Sequence, residues 1–297
     1  MTVVIDGNAV ARDIRNDLGS SIDQLDEAGV EPGLATVLMS DDPASETYVS
    51  MKQRACDEVG INGIHVELEP DAPATELYDT IERLNEDEAV HGILVQMPVP
   101  DHVSTERVLE SVDPMKDVDG FHPTNVGRLV AGRPIYRPCT PHGVQKLLES
   151  IDVDPAGKDV VIVGRSMIVG KPLANLLLQK ADGGNATVTV CHSRTRDLTE
   201  KTQQAEILIA AVGVPELIDG SMISTGTTVI DVGVNRVEAD TEKGYRLVGD
   251  VEFESAREKA AHITPVPGGV GPMTIAMLLY NTIKAAGIQH DVTLKLP

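Results

Sequence analysis

The sequence holds no apolar stretch that approaches a membrane span, and no charged-then-apolar leader opens it. The expectation is a soluble, globular, cytoplasmic protein with no membrane partner. Cysteine is scarce as well: Cys56, Cys139 and Cys191 lie far apart and never in C-x-x-C spacing. That pattern argues against a disulfide framework or a zinc site, so no metal is expected and a reducing compartment suits the chain. Basic residues are the third shortage, 25 Lys and Arg against 46 Asp and Glu, for a formal net charge of −21. Such a surface repels nucleic acid and, at low salt, itself. The acidic residues are spread through 13–31, 71–88 and 238–258 and do not form one tail. This fits a surface adapted to concentrated salt, where screening removes the repulsion; an ordinary acidic cytosolic enzyme is the alternative.

What is present is a regular alternation. With 297 residues, 41% of them hydrophobic, the chain can build two domains with sizeable cores. Strand patterns at 3–6, 34–39, 61–68 and 90–96 alternate with helical patterns at 8–28, 43–59, 73–84 and 103–109. Residues 113–141, rich in Pro, Gly and Asp, read as loop, and 142–151 as a connecting helix. Further strands are expected at 160–163, 187–191, 207–211 and 228–232, with shorter ones near Leu247 and at 262–264. A loop at 265–272 then leads into a closing helix from Met273 to Ala286. The fold class is α/β with largely parallel sheets, in two domains.

The stretch Asp159-Val160-Val161-Ile162-Val163-Gly164-Arg165-Ser166-Met167-Ile168-Val169-Gly170 reads as strand, tight turn and helix start. Such a turn leaves backbone N–H groups where a phosphate is favourably held. It departs from G-x-G-x-x-G, since Ser166 replaces the second glycine and Gly170 comes one residue late. A domain preferring NAD usually places an acid after its second strand; here Ser193 and Arg194 stand there, with Arg165 in the first turn. A hydroxyl and cations suit a 2′-phosphate, which points to NADP. A turn without ligand and a solvated basic loop are the bland alternatives.

Tyr48 and Lys52 lie one helical turn apart, Gln96 closes an apolar strand, and Asp117 and Asp119 flank Val118. Each alone is an ordinary surface feature. Together, Tyr48-Val49-x-x-Lys52, Gly92-Ile93-Leu94-Val95-Gln96-Met97-Pro98-Val99-Pro100 and Lys116-Asp117-Val118-Asp119-Gly120 resemble the bifunctional methylenetetrahydrofolate dehydrogenase/cyclohydrolase family. So do Pro138-Cys139-Thr140-Pro141, Ile230-Asp231-Val232-Gly233 and Pro265-Val266-Pro267-Gly268-Gly269-Val270-Gly271-Pro272-Met273-Thr274, in order and almost end to end. Met97, Val99 and Arg54 depart slightly from the family's usual residues.

The resemblance implies an N-terminal parallel-sheet α/β catalytic domain over 1–139 and a C-terminal Rossmann-like NADP-binding domain over 140–272. A cleft is expected between them, with the helix at 273–297 packing back on the first. It implies NADP-dependent oxidation of 5,10-methylenetetrahydrofolate and hydrolysis of the methenyl product to 10-formyltetrahydrofolate, in a homodimer. Lys52 then matches the central catalytic group, Gln96 the residue that tunes it, Tyr48 a wall of the folate site and Asp119 the carboxylate on the pterin. Val95, Met97, Pro267, Gly268, Gly269, Val270 and Gly271 are implied to line the substrate, and Gly164, Arg165, Ser166, Ser193 and Val234 the cofactor. A dehydrogenase without cyclohydrolase activity, or a silent nucleotide-binding protein, remains open at this point.

Overall fold

The protein is described by a computed structural model over residues 2–241 and 244–297. In chain order the elements are β1 (Val3–Val4), α1 (Gly7–Glu27), β2 (Gly33–Leu38), α2 (Pro43–Val59), β3 (Asn62–Glu67), α3 (Ala74–Glu86), β4 (Gly92–Val95), α4 (Thr105–Ser111), α5 (Pro123–Val130) and α6 (Cys139–Ser150). Then come β5 (Asp159–Val163), α7 (Gly170–Leu177), β6 (Thr187–Cys191), α8 (Leu198–Gln203), β7 (Ile207–Ala210), β8 (Thr228–Asp231), β9 (Asn235–Glu238), β10 (Tyr245–Val248), α9 (Phe253–Arg257), β11 (His262–Ile263) and α10 (Val270–Gln289). The chain forms two compact units: Arg12–Cys139 with Ile275–Pro297, and Met1–Ala11 with Thr140–Thr274.

The first unit is built on three parallel strands in the order β3-β2-β4. Strand β2, central and read as GLATVL, is buried along its whole length, which is why its sequence shows no alternation. Edge strand β3 exposes every second residue or more. Leu77, Ile81 and Leu84 of α3 pack in one core with Ala35, Val37 and Ile93 of the sheet. The carboxylate of Asp42 accepts from the backbone N–H of Ser45 at 3.2 Å and so caps the start of α2. Within this unit Asn281 Nδ2 of α10 donates to the carbonyls of Val118 and Arg137, at 2.7 and 2.9 Å. The stretch expected to be all loop contains α5. Pro123 opens that helix and His122 Nδ1 accepts from Thr124 N at 3.0 Å, so the Pro and His that resemble loop chemistry are a helix start.

The second unit carries six parallel strands in the order β1-β11-β8-β7-β5-β6, plus the antiparallel hairpin β9–β10. Strand β1 departs from the expected division. It pairs with β11, Val3 donating to Ala261 O and Ile5 to Ile263 O at 2.9 and 2.8 Å, and not with the sheet that follows it in sequence. A two-residue edge strand carries no pattern that says which sheet it joins. From β5 the chain runs out to β6 on one side and returns to β7 on the other. The strand order therefore reverses between β5 and β7, the place where open α/β sheets bind ligands.

Candidate active site and cofactor platform

Helical spacing brings Tyr48 and Lys52 to one face of α2, Tyr48 40% exposed and Lys52 only 9%. Gln96 follows β4 directly, its backbone N–H held by Val37 O at 2.8 Å. Its side-chain Nε2 donates to Met97 O at 2.8 Å, which turns Oε1 towards the lysine, and Lys52 Nζ donates to that oxygen at 2.8 Å. Burial lowers the pKa of Lys52, opposed by the charge of Asp119 and more weakly by Cys139 and Cys56. Asp119 is shifted the other way, upward, again by burial, with the charge of Lys52 and then the neighbouring Cys139 pulling it back. The site thus sets an amine biased towards its neutral form in the field of one carboxylate. That pairing suits an amine that takes up and gives back a proton.

The two aspartates of the Asp117-Val118-Asp119 motif have separate jobs. Asp117, buried, accepts from the backbone N–H groups of Gly120, Phe121 and His122 at 3.1, 3.2 and 2.8 Å, and from Asn125 Nδ2 at 2.8 Å. Burial nevertheless pushes its pKa up to about 6. It holds the turn, which passes through Gly120 at φ +77°, while the charge of Asp119 acts on Lys52. In the sequence neither Asp117 nor Cys139 has a role beyond its place in a motif. The fully buried Cys139 thiol donates to Val118 O at 3.5 Å, and burial keeps its pKa well above the usual thiol value. Its Pro-Cys-Thr-Pro setting marked the segment but not the thiol. Val95 and Met97 flank Gln96 and are partly buried.

In the second unit Gly164 has φ +134°, and a Cβ there would run into the carbonyl of Ala211. Ser166 takes the place of a glycine because its hydroxyl closes the turn: Oγ accepts from Val169 N at 3.1 Å, and its carbonyl accepts from Lys171 N at 3.0 Å. Arg165, Ser166, Met167 and Ile168 are all exposed ahead of α7. After β6, Thr195 Oγ1 accepts from His192 N at 2.8 Å and His192 Nδ1 from Arg194 N at 3.1 Å, presenting Ser193 and Arg194 to solvent. An exposed glycine turn ahead of a helix, with exposed Arg165 and Arg194, fits NADP. Val234 is also exposed, beyond β8. The closing helix α10 begins at Val270, three residues before the expected Met273; in the loop ahead of it Pro267 is exposed, Gly268 has φ +102° and Gly269 is buried, and in its first turn Val270 is buried and Gly271 partly so. Among the described residues no group of three or more His, Cys, Asp or Glu could hold a metal ion, and no helix is long and apolar enough to cross a membrane.

A buried lysine–amide–carboxylate site in one α/β unit, and a dinucleotide-type turn at the switch point of another, define a nicotinamide-nucleotide-linked enzyme with its own acid–base group. Residues 5–119 match the tetrahydrofolate dehydrogenase/cyclohydrolase catalytic domain, and residues 138–290 the NAD(P)-binding domain of the same proteins. The chain belongs to the tetrahydrofolate dehydrogenase/cyclohydrolase family and is a bifunctional enzyme of that kind. It is 71% identical over 297 residues to bifunctional protein FolD 1 of Haloarcula marismortui, with 100% of each chain covered. The crystal structure of the bifunctional FolD enzyme of Campylobacter jejuni superposes with a TM-score of 0.91 at 47% identity, covering 97% of this chain and 100% of that one. The Trypanosoma brucei enzyme, solved with NADP cofactor and inhibitor, gives 0.91 at 41% identity, covering 97% and 98%.

Proposed function

We propose that the protein oxidises 5,10-methylenetetrahydrofolate with NADP to the 5,10-methenyl cation, and hydrolyses that cation to 10-formyltetrahydrofolate at the same folate site. The observation that carries this is the 2.8 Å bond from buried Lys52 to the Gln96 amide oxygen, beside Asp119. An amide oxygen accepts from the amine without adding a full counter-charge, so Lys52 can lose its proton. Asp119 accepts from the ring N–H and exocyclic amine of the pterin, two charge-assisted bonds that orient it. Tyr48, Val95 and Met97 line the folate, and in the other unit Pro267, Gly268, Gly269, Val270 and Gly271 offer backbone to a bound ligand. NADP, when bound, accepts the hydride. In the hydrolytic step neutral Lys52, its pKa lowered further by the methenyl charge, takes a proton from attacking water and returns it to the departing ring nitrogen, and the remaining hydroxyl proton is released to solvent as the formyl C=O forms.

Folate belongs to the unit that carries Lys52, and NADP to the unit that carries Gly164, where Arg165, Ser166, Ser193 and Val234 contact it. The cofactor's 2′-phosphate meets Arg165 and Ser193. The open outer edge of β6, with Val190 38% exposed, supports a homodimer that covers it. Three free buried cysteines support a cytoplasmic setting, and the acid excess speaks against a nucleic-acid partner. The test follows methenyltetrahydrofolate absorbance on the purified protein with NADP or NAD, and then its decay without cofactor. Formation with NADP in preference to NAD, followed by decay above the spontaneous rate, is expected. No methenyl product with either cofactor would contradict the proposal.

A further inference from the structure

Two carboxylates in the cofactor unit have no part in the chemistry above. Asp231 ends β8 and Asp250 follows β10; they are 3% and 0% exposed. The hydrogen bonds they accept come from neutral donors. Asp250 Oδ2 accepts from Val212 N and Gly213 N at 2.6 and 3.0 Å, and its Oδ1 from Val214 N and Asn235 Nδ2 at 3.0 and 2.9 Å. Asp231 Oδ1 accepts from Gly233 N and Asp250 N, both at 3.0 Å, and its Oδ2 from Val251 N at 2.9 Å. Asp231 therefore fixes the backbone of Asp250, and Asp250 fixes two loops. The packing is closed around them: a Cβ on Gly233 would enter the Asp250 carboxylate, and one on Gly249 the Asp231 carboxylate.

Burying two like charges side by side is a poor route to stability alone. Burial, with the Asp250 charge adding to it, drives the pKa of Asp231 up to about 7. What the pair holds in place is specific. The loop 212–214 follows β7, and 232–235 follows β8. Ala211 N bonds to Val163 O and Val232 N to Ala210 O, at 2.8 and 2.9 Å, so these loops line up beside the Gly164 turn. Each presents an exposed valine, Val214 and Val234, both 45% exposed. The strand order β6-β5-β7-β8 gives the direction. If the 2′-phosphate lies over β6 and the pyrophosphate over the Gly164 turn, the nicotinamide half lies over β7 and β8.

We infer that Asp250, held by Asp231, is a positioning residue that sets the 212–214 and 232–235 loops against the nicotinamide half of NADP. This rests on the proposed function and concerns only its cofactor half. In Asp250→Asn the amide keeps the shape, but whichever way it faces, its NH2 meets two N–H donors. In Asn235→Ala one donor is lost and the backbone bonds remain.

The test titrates NADP, and separately adenosine 2′,5′-bisphosphate, against the full-length parent and both variants, and measures methenyltetrahydrofolate hydrolysis without NADP. For Asp250→Asn the NADP Kd rises by about tenfold or more, while bisphosphate affinity and hydrolysis stay at parent values. Asn235→Ala shifts the same way by less, and decides the matter if Asp250→Asn does not fold. Parent NADP affinity in the folded variants would overturn the inference. So would parallel loss of bisphosphate binding and hydrolysis, the mark of a merely structural role. A parent that binds no NADP would instead remove the proposed function beneath it.

Discussion

A lysine that leans on an amide oxygen holds its proton less tightly than one paired directly with a carboxylate, and Lys52 is placed that way. Asp119 supplies the charge at one remove, and in the proposed function it is the residue both reactions share. Asp119→Ala should therefore lower kcat/KM for oxidation and for hydrolysis alike, by about tenfold or more, the worth of one lost charge-assisted hydrogen bond. Either reaction left near the parent rate would contradict a shared folate site. At the other unit Arg165 is exposed at the phosphate turn. Arg165→Ala should weaken NADP by about tenfold or more while NAD changes little, because only NADP carries the 2′-phosphate. Titrating both cofactors against one preparation checks this, and equal losses would remove Arg165 from the assignment.

Among the elements, the strands and helices that bury a face were legible in sequence, and β2, β5 and β7 stand close to where their apolar runs put them. The hairpin β9–β10 was legible only as a short strand near Leu247, because its partly exposed residues give no core pattern. Lys52, Gln96 and Asp119 were singled out through the family resemblance and not by any pattern of their own, and the bond directions of Gln96 and the holding role of Asp117 depend on three segments meeting. The His91–His290 contact was invisible for the same reason. Buried His91 takes Gly33 N–H on Nδ1 at 3.0 Å, so its Nε2 carries the proton it shares with His290 Nε2 at 2.9 Å. Burial, then His290 and Lys116, lowers its pKa to about 4. Folded His91 is thus neutral where the unfolded chain, with a histidine pKa of about 6.5, binds a proton. Its contribution is present above that value and lost as pH falls towards about 4. Asp117 and Asp231, with raised pKa values, pull in the opposite direction. The measurement is accordingly a difference. His91→Asn should cost about 1–3 kcal/mol at pH 7.5, and the gap to the parent should narrow on acidification; a constant gap would contradict the assignment.

On the scale of the whole molecule, the acid excess is spread over outward faces such as Asp13, Asp17 and Asp23 of α1 and Glu76, Asp79 and Glu82 of α3, all exposed. With a net charge of −21, screening should raise the melting temperature by about 5 °C or more between low and molar KCl. A flat profile would mean that the acidity is incidental to stability. In the proposed function one folate site serves two chemistries, and Lys52 is where they part. Hydride transfer needs the folate carbon and the nicotinamide in line but no proton from water, whereas hydrolysis needs a proton taken and returned. The most direct measurement is both rates on one purified Lys52→Met variant, with folding checked by circular dichroism. Hydrolysis of methenyltetrahydrofolate should fall by about 10²-fold or more, and oxidation of methylenetetrahydrofolate should fall less. A folded variant that hydrolyses methenyltetrahydrofolate at the parent rate would contradict the account.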